Sequence, residues 1–254
     1  MKKFELTAES KINWFGRTLY RIKACIDFTT TSGDEVKAGD LGGYVEKESN
    51  LSHNGKAWVW GNAKVWGNAE VCGDAKVCGD AKVCGDAEVW GNAKVCGDAK
   101  VCGDAKVWGN AKVWGNAKVW GNAKVCGDAK VCGDASIFST KHIFCVTPIG
   151  QYANSLTVFR TKNRELKISF EFEIYEVEEF RKAIHDSWDE EYVDIAEGAI
   201  SLAKKHIDLT PEKSFKDCPF CGGKAELDED SEVVICTECG STAKKEIWNN
   251  RCDD

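Results

Sequence analysis

Two Cys-x-x-Cys pairs, Cys218-Pro-Phe-Cys221 and Cys236-Thr-Glu-Cys239, stand fourteen residues apart near the end of the chain. Each pair presents two thiolates from one tight turn, and four thiolates match the tetrahedral preference of Zn²⁺. Gly222 and Gly240 permit the tight knuckles. A closed four-thiolate set leaves no open position for water, so the zinc expected here is structural and folds a module too small to have its own core. Cys252 lies past Trp248 with no paired knuckle and is not expected to be a ligand. A redox-dithiol reading lacks the βαβ surroundings that such chemistry uses.

Of the fourteen cysteines, seven more occupy one position of a six-residue phrase, Ala-Lys/Glu-Val-Trp/Cys-Gly-Asn/Asp, running from Ala57 to Ser136. Valine recurs at every sixth residue from Val59 to Val131, and Ile137 closes the series. A period of six, with Gly-Asn or Gly-Asp punctuating each unit, is a short strand followed by a corner, and three units make one triangular coil. Alternation places Ala and Val on one side and Lys and Trp or Cys on the other; lysine marks the solvent side. The valines therefore fill a prism, because a single unit cannot bury its own valine and stacked coils can. An eighteen-residue coil predicts three columns: Val59, Val77, Val95, Val113 and Val131; Val65, Val83, Val101, Val119 and Ile137; Val71, Val89, Val107 and Val125.

Trp always travels with Asn and Cys with Asp across the thirteen units, a linkage that tandem copying of two cassettes explains. The outward position predicts exposed belts, including Trp108, Trp114 and Trp120. Each Trp presents roughly 150–250 Å², so several left uncovered call for a partner or for the chain's own terminal domains. Neighbouring cysteine rungs such as Cys78 and Cys96, or Cys84 and Cys102, are about one strand spacing apart, which is wide for the Cβ separation of a disulfide; free thiols are expected.

The aliphatic residue followed four places later by a small one, as in Val59 to Ala63 and Val65 to Ala69, resembles the hexapeptide-repeat, left-handed parallel β-helix family. Left-handedness and a trimeric homo-oligomer are what the resemblance implies. The stretch Gly39-Asp-Leu-Gly-Gly-Tyr-Val-Glu-Lys-Glu-Ser-Asn-Leu-Ser52 also looks like a group of bacterial and phage hexapeptide proteins labelled transferases. The stretch from Cys218 to Gly240, together with Ile247-Trp-Asn-Asn-Arg251, is similar to the restriction-alleviation (Lar-type) family. That similarity implies a phage or mobile-element origin and interference with host restriction.

The fold expected is mainly β. It comprises an N-terminal α/β cap over 1–50, the β-helix of four to five coils over 51–138, a small α+β module over 139–209 and the zinc ribbon over 210–254. The best cap strand is Leu19–Phe28. In the third segment, strands are expected over His142–Ile149, Leu156–Thr161 and Glu165–Tyr175, and amphipathic helices over Val177–His185 and Glu190–Ile207. Leu209-Thr-Pro-Glu-Lys-Ser214 reads as a linker.

The net charge of −7 is concentrated in 171–200, where eleven acids face Arg181 and Lys182. A solvated helix face accounts for this, and the charge does not support nucleic acid as a partner. No apolar run approaches eighteen residues and Met-Lys-Lys leads into a polar stretch, so neither a membrane span nor a signal peptide is expected and the bacterial cytosol is the expected compartment. Three functions stay open. The first is a non-catalytic binding protein acting on a host defence or restriction protein, with Trp248, Asn249 and Arg251 as contacts. The second is a hexapeptide acyltransferase. The third is a sponge that holds a small signalling ligand between subunits. Acyltransferases of that family use a histidine base and an inserted loop; no loop or histidine interrupts the coils here, and His53 and His142 flank them as polar junction residues.

Overall fold

The computed structural model of the chain describes residues 2–13, 15–150 and 152–210, together with the backbone of three short strands at Ala225–Asp228, Val233–Cys236 and Thr242–Lys244. By contacts the chain divides into two units, Met1–Leu209 and Thr210–Asp254.

The six-residue phrase folds as a parallel β-solenoid. Each unit contributes a two-residue strand, Lys/Glu-Val in most cases, from Trp58–Val59 to Ser136–Ile137. Strands eighteen residues apart pair in parallel and in register, as in Lys82 with Lys100 and Val83 with Val101. The three valine columns are those the period predicts, and every valine from Val59 to Val131 is fully buried with the alanines between them. Hydrogen bonds run along the axis, each rung donating to the next coil, as Lys94 N does to Ala111 O at 2.9 Å. The corner glycines hold positive φ, and their neighbours leave little space: a Cβ on Gly85 (φ +69°) would lie 2.8 Å from the nitrogen of Gly103. Glycine thus serves both the turn and the close stacking of corners.

The N-terminal cap differs from the α/β unit expected. Among its described residues there is no α-helix: strands at Phe4–Ile12 and Thr18–Ala24 form an antiparallel hairpin, Thr18–Ala24 pairs antiparallel with Leu41–Val45, and the latter pairs in parallel with the first coil (Tyr44 with Lys64, Val45 with Val65). The hairpin is set by Asn13, whose Oδ1 accepts from Phe15 N and Arg17 N, both at 3.0 Å. The exposed end of the prism is sealed by apolar residues of the cap. Trp58 stands where later units have Lys or Glu, is buried, and packs edge-on against Phe4 and Phe28 with centroids 6.4 and 5.5 Å away. Beside it, buried Lys3 donates to Ala57 O at 2.8 Å and Gly55 O at 3.3 Å, and burial lowers its pKa to about 8.

The last coil is closed by a four-stranded antiparallel sheet, Ile143–Ile149, Asn154–Arg160, Leu166–Phe170 and Glu173–Glu176. The single strand expected over Glu165–Tyr175 is a hairpin; Glu171 takes a left-handed turn (φ 55°) that reverses the chain. The Asn154–Arg160 strand is buried on both faces. Phe159 joins the solenoid core and Thr157 Oγ1 accepts from Lys130 N at 3.0 Å, whereas Leu156 and Val158 pack beneath helices α1 (Val177–Ser187) and α2 (Glu190–His206). A strand of period two can serve two cores in this way. Among the described residues no helix is long and apolar enough to cross a membrane.

The three strands of the second unit form an antiparallel sheet in which Ala225 pairs with Cys236 and Ile235 with Thr242. Cys218, Cys221, Cys239, Trp248, Asn249 and Arg251 lie outside the described residues, and of Cys236 only the backbone is described.

Candidate functional site

The residues after each valine form three ladders along the solenoid. They are neither fully outward nor uncovered, which corrects the exposed-belt expectation. Trp66 and Trp120 are each 6% exposed, Cys84, Cys102 and Cys132 are buried, and of the described ladder residues only Cys126 is exposed. Several of these side chains lie against the ladder residue one coil above or below. Trp108 stacks flat on Trp90 (centroids 5.0 Å, interplanar 1°), Trp120 tilts against Phe138 at 5.2 Å, and half-buried Trp114 packs against the solenoid core. Covering by the chain itself thus accounts for much of the aromatic surface that had called for a partner.

The coils 57–74, 75–92, 93–110 and 111–128 carry Trp-Trp-Cys, Cys-Cys-Trp, Cys-Cys-Trp and Trp-Trp-Cys in their corner positions. Trp therefore meets Cys at most coil junctions, and like meets like on all three ladders only between the second and third coils. There Trp90 stacks on Trp108, Cys78 is disulfide-bonded to Cys96, and Cys84 Sγ lies 2.6 Å from Cys102 Sγ. The disulfide corrects the expectation of free thiols at this rung. The Cα atoms of Cys78 and Cys96 are 4.6 Å apart, inside the window that disulfides span. The signal was present in the sequence as the order of Trp and Cys read at eighteen-residue spacing.

The ionic ladders are less uniform. Lys64, Lys82, Lys100 and Lys118 stack in register on one face. On another, Glu70 and Glu88 precede Lys106 and Lys124, and Lys106 Nζ reaches Glu88 at 2.8 Å. On the third, Lys76 pairs with Asp34 of the cap at 2.7 Å, and Lys112 and Lys130 lie over the exposed Phe172 ring. The acidic stretch is largely the outer face of α1 and α2, tied by Arg181 to Glu197 at 3.0 Å.

Neither flanking histidine is a free polar residue. His53 stacks on Phe4 at 4.4 Å, accepts from Lys3 N at 3.2 Å and contacts Glu48 at 2.8 Å. His142 is 3% exposed, lies edge-on to Phe138 at 3.8 Å, and accepts from Phe138 N at Nδ1. Burial, reinforced by the Arg160 charge and opposed by Asp208, lowers its pKa to about 4. The unfolded chain, with an ordinary histidine, binds more protons between pH 6.5 and 4. The contribution of neutral His142 is therefore complete above pH 6.5 and lost as pH falls toward 4, about 3 kcal/mol over the window. His142→Asn keeps an acceptor for Phe138 N and removes the titration. The difference between wild-type and variant stability, from urea unfolding at steps of pH, should shrink by about that amount on acidification; a constant difference would refute this assignment.

Among the described residues two shallow cavities stand out. One is walled by Phe170, Tyr175, Phe180 and Trp188 under α1, whose rings pack mutually at 5.2–6.0 Å; the other runs along a corner between Ser32, Asp74, Asn92 and Lys94. Neither holds a histidine, and among the described residues no group of three His, Cys, Asp or Glu side chains is placed to hold a metal. No protein-family profile matches the chain, and no curated protein matches it.

Proposed function

We propose that the protein is a non-catalytic binding protein of phage or prophage type, in which a left-handed hexapeptide β-helix carries a zinc-ribbon head that engages a host restriction or defence protein. The observation that carries this reading is the unbroken run of coils. No loop leaves the solenoid between Ala57 and Ser136, so its flanks are ladders of repeated side chains and not a walled cleft. Such a rod is suited to presenting a module.

The ribbon half of the reading rests on the cysteine spacing and on strand register. The hairpin pairs Ala225 with Cys236, the chain reaches Ala225 four residues after Cys221, and it passes Cys236 three residues before Cys239. Cys218, Cys221, Cys236 and Cys239 would hold Zn²⁺, which supplies folding free energy there. In the tail, Trp248 offers an aromatic anchor, Asn249 an amide, and Arg251 a guanidinium fork.

A phage-restriction assay tests this. Cells expressing the full chain should protect incoming DNA, and cells expressing a chain ending at Thr210 should not. Protection that survives truncation would remove the ribbon from the function.

A further inference from the structure

We propose that Cys84 and Cys102 are an oxidisable pair that forms a second crosslink between the second and third coils, parallel to Cys78–Cys96. The pair stands on rungs locked in register by Lys82 with Lys100 and Val83 with Val101, so the two Cα atoms are held one strand spacing apart. That spacing falls within the Cα window of a disulfide, as the neighbouring ladder already demonstrates. The sulfurs are 2.6 Å apart, and the residues are only 1% and 2% exposed. On the same ladder, Trp66 precedes Cys84 by one coil and Trp120 follows Cys102 by one coil, each 6% exposed. Two buried indoles thus bracket the thiols.

This burial selects the oxidant. A bulky disulfide cannot reach either sulfur without opening a coil, whereas a small peroxide can enter. One thiolate attacks a peroxide oxygen, the O–O bond breaks, and the departing hydroxide takes that thiol's proton as water. The resulting sulfenic acid is attacked by the second thiolate, the S–S bond forms as the S–O bond breaks, and the second hydroxide leaves with the remaining proton. Two thiols and one hydrogen peroxide give one disulfide and two waters. Both cysteine ladders of this junction are then covalently closed.

The experiment treats the reduced, full-length protein with hydrogen peroxide, alkylates remaining thiols, and digests with trypsin without reduction. Cys84 falls in a tryptic peptide of unique sequence, residues 83–94, but Cys102 falls in Val-Cys-Gly-Asp-Ala-Lys, a peptide shared with Cys78, Cys96 and Cys126. Lys106→Arg therefore marks the Cys102 peptide by mass without touching either sulfur. The expected result is a crosslinked species joining 83–94 to the marked peptide, with loss of alkylation at Cys84, and its absence from Cys102→Ser. A crosslink from 83–94 to the unmarked peptide would overturn the proposal. So would Cys84 remaining fully alkylated at peroxide doses that oxidise the partly exposed Cys145, which falls in a tryptic peptide of its own, residues 142–160.

Discussion

Zinc is expected to leave the protein when Cys218 is replaced by serine and to remain, at one ion per chain, when Cys252 is replaced. A four-thiolate site with one ligand removed loses its closed shell. Because the free energy of binding such an ion, of order 10–16 kcal/mol, is also folding free energy for a small module, the three-stranded sheet from Ala225 to Lys244 should lose its structure with it. Metal analysis of the two reduced variants, with hydrogen exchange over residues 225–244, reads both consequences. Zinc lost from Cys252→Ser and kept by Cys218→Ser would overturn the ligand assignment.

An effect of comparable size is expected inside the prism. Val95 is fully buried and sits between Val77 and Val113 of the adjoining coils. Val95→Asp removes apolar volume, costing about 2 kcal/mol. It also places a carboxyl among valines and alanines, adding about 2–7 kcal/mol when no partner is present. The sum rivals the whole stability of an ordinary domain, about 5–15 kcal/mol. Since each coil contacts only its neighbours, hydrogen exchange should show protection collapsing first over coils two to four and last at the Phe4–Ile12 cap strand. Lys94→Gln, one residue away on the outer side, should change stability by no more than about 0.5 kcal/mol. Equal urea midpoints for the two variants would show that the valine column is not the core.

The solenoid was readable because its period couples every rung to the next: once Val59 faces inward, register leaves no freedom for Val77 or Val95. The ladder residues were not so constrained. Alternation says that Trp and Cys leave the core, but it does not say whether a corner side chain projects into water or lies along the axis against its neighbour. Trp108 and Trp120 do the latter. The cap's all-strand form has a local cause. The Asn13 side chain closes a hairpin that turns Phe4–Ile12 back on Thr18–Ala24, and no hydrophobic period identifies such a side-chain turn. In the third segment the helices fell within two residues of expectation, because their apolar faces carry the 3.6 period. The Glu171 reversal leaves no mark in the pattern, because the residues around it continue to alternate. For the proposed zinc module, spacing alone made the four cysteines conspicuous; the identity of a binding partner leaves no comparable periodic trace.

Register at eighteen residues also makes the coil region a ruler with an angular phase. Deleting eighteen residues, such as 93–110, shortens it by about 4.8 Å while every later rung keeps its face. Deleting six residues instead advances all that follows by one face of the triangle, and the sheet beginning at Ile143 would be rotated by a third of a turn relative to the cap. Copying and loss of whole coils therefore alter reach alone, and slippage by a single phrase alters direction. A tandem repeat of this kind gives a lineage separate genetic steps for how far a terminal module extends and for which way it points.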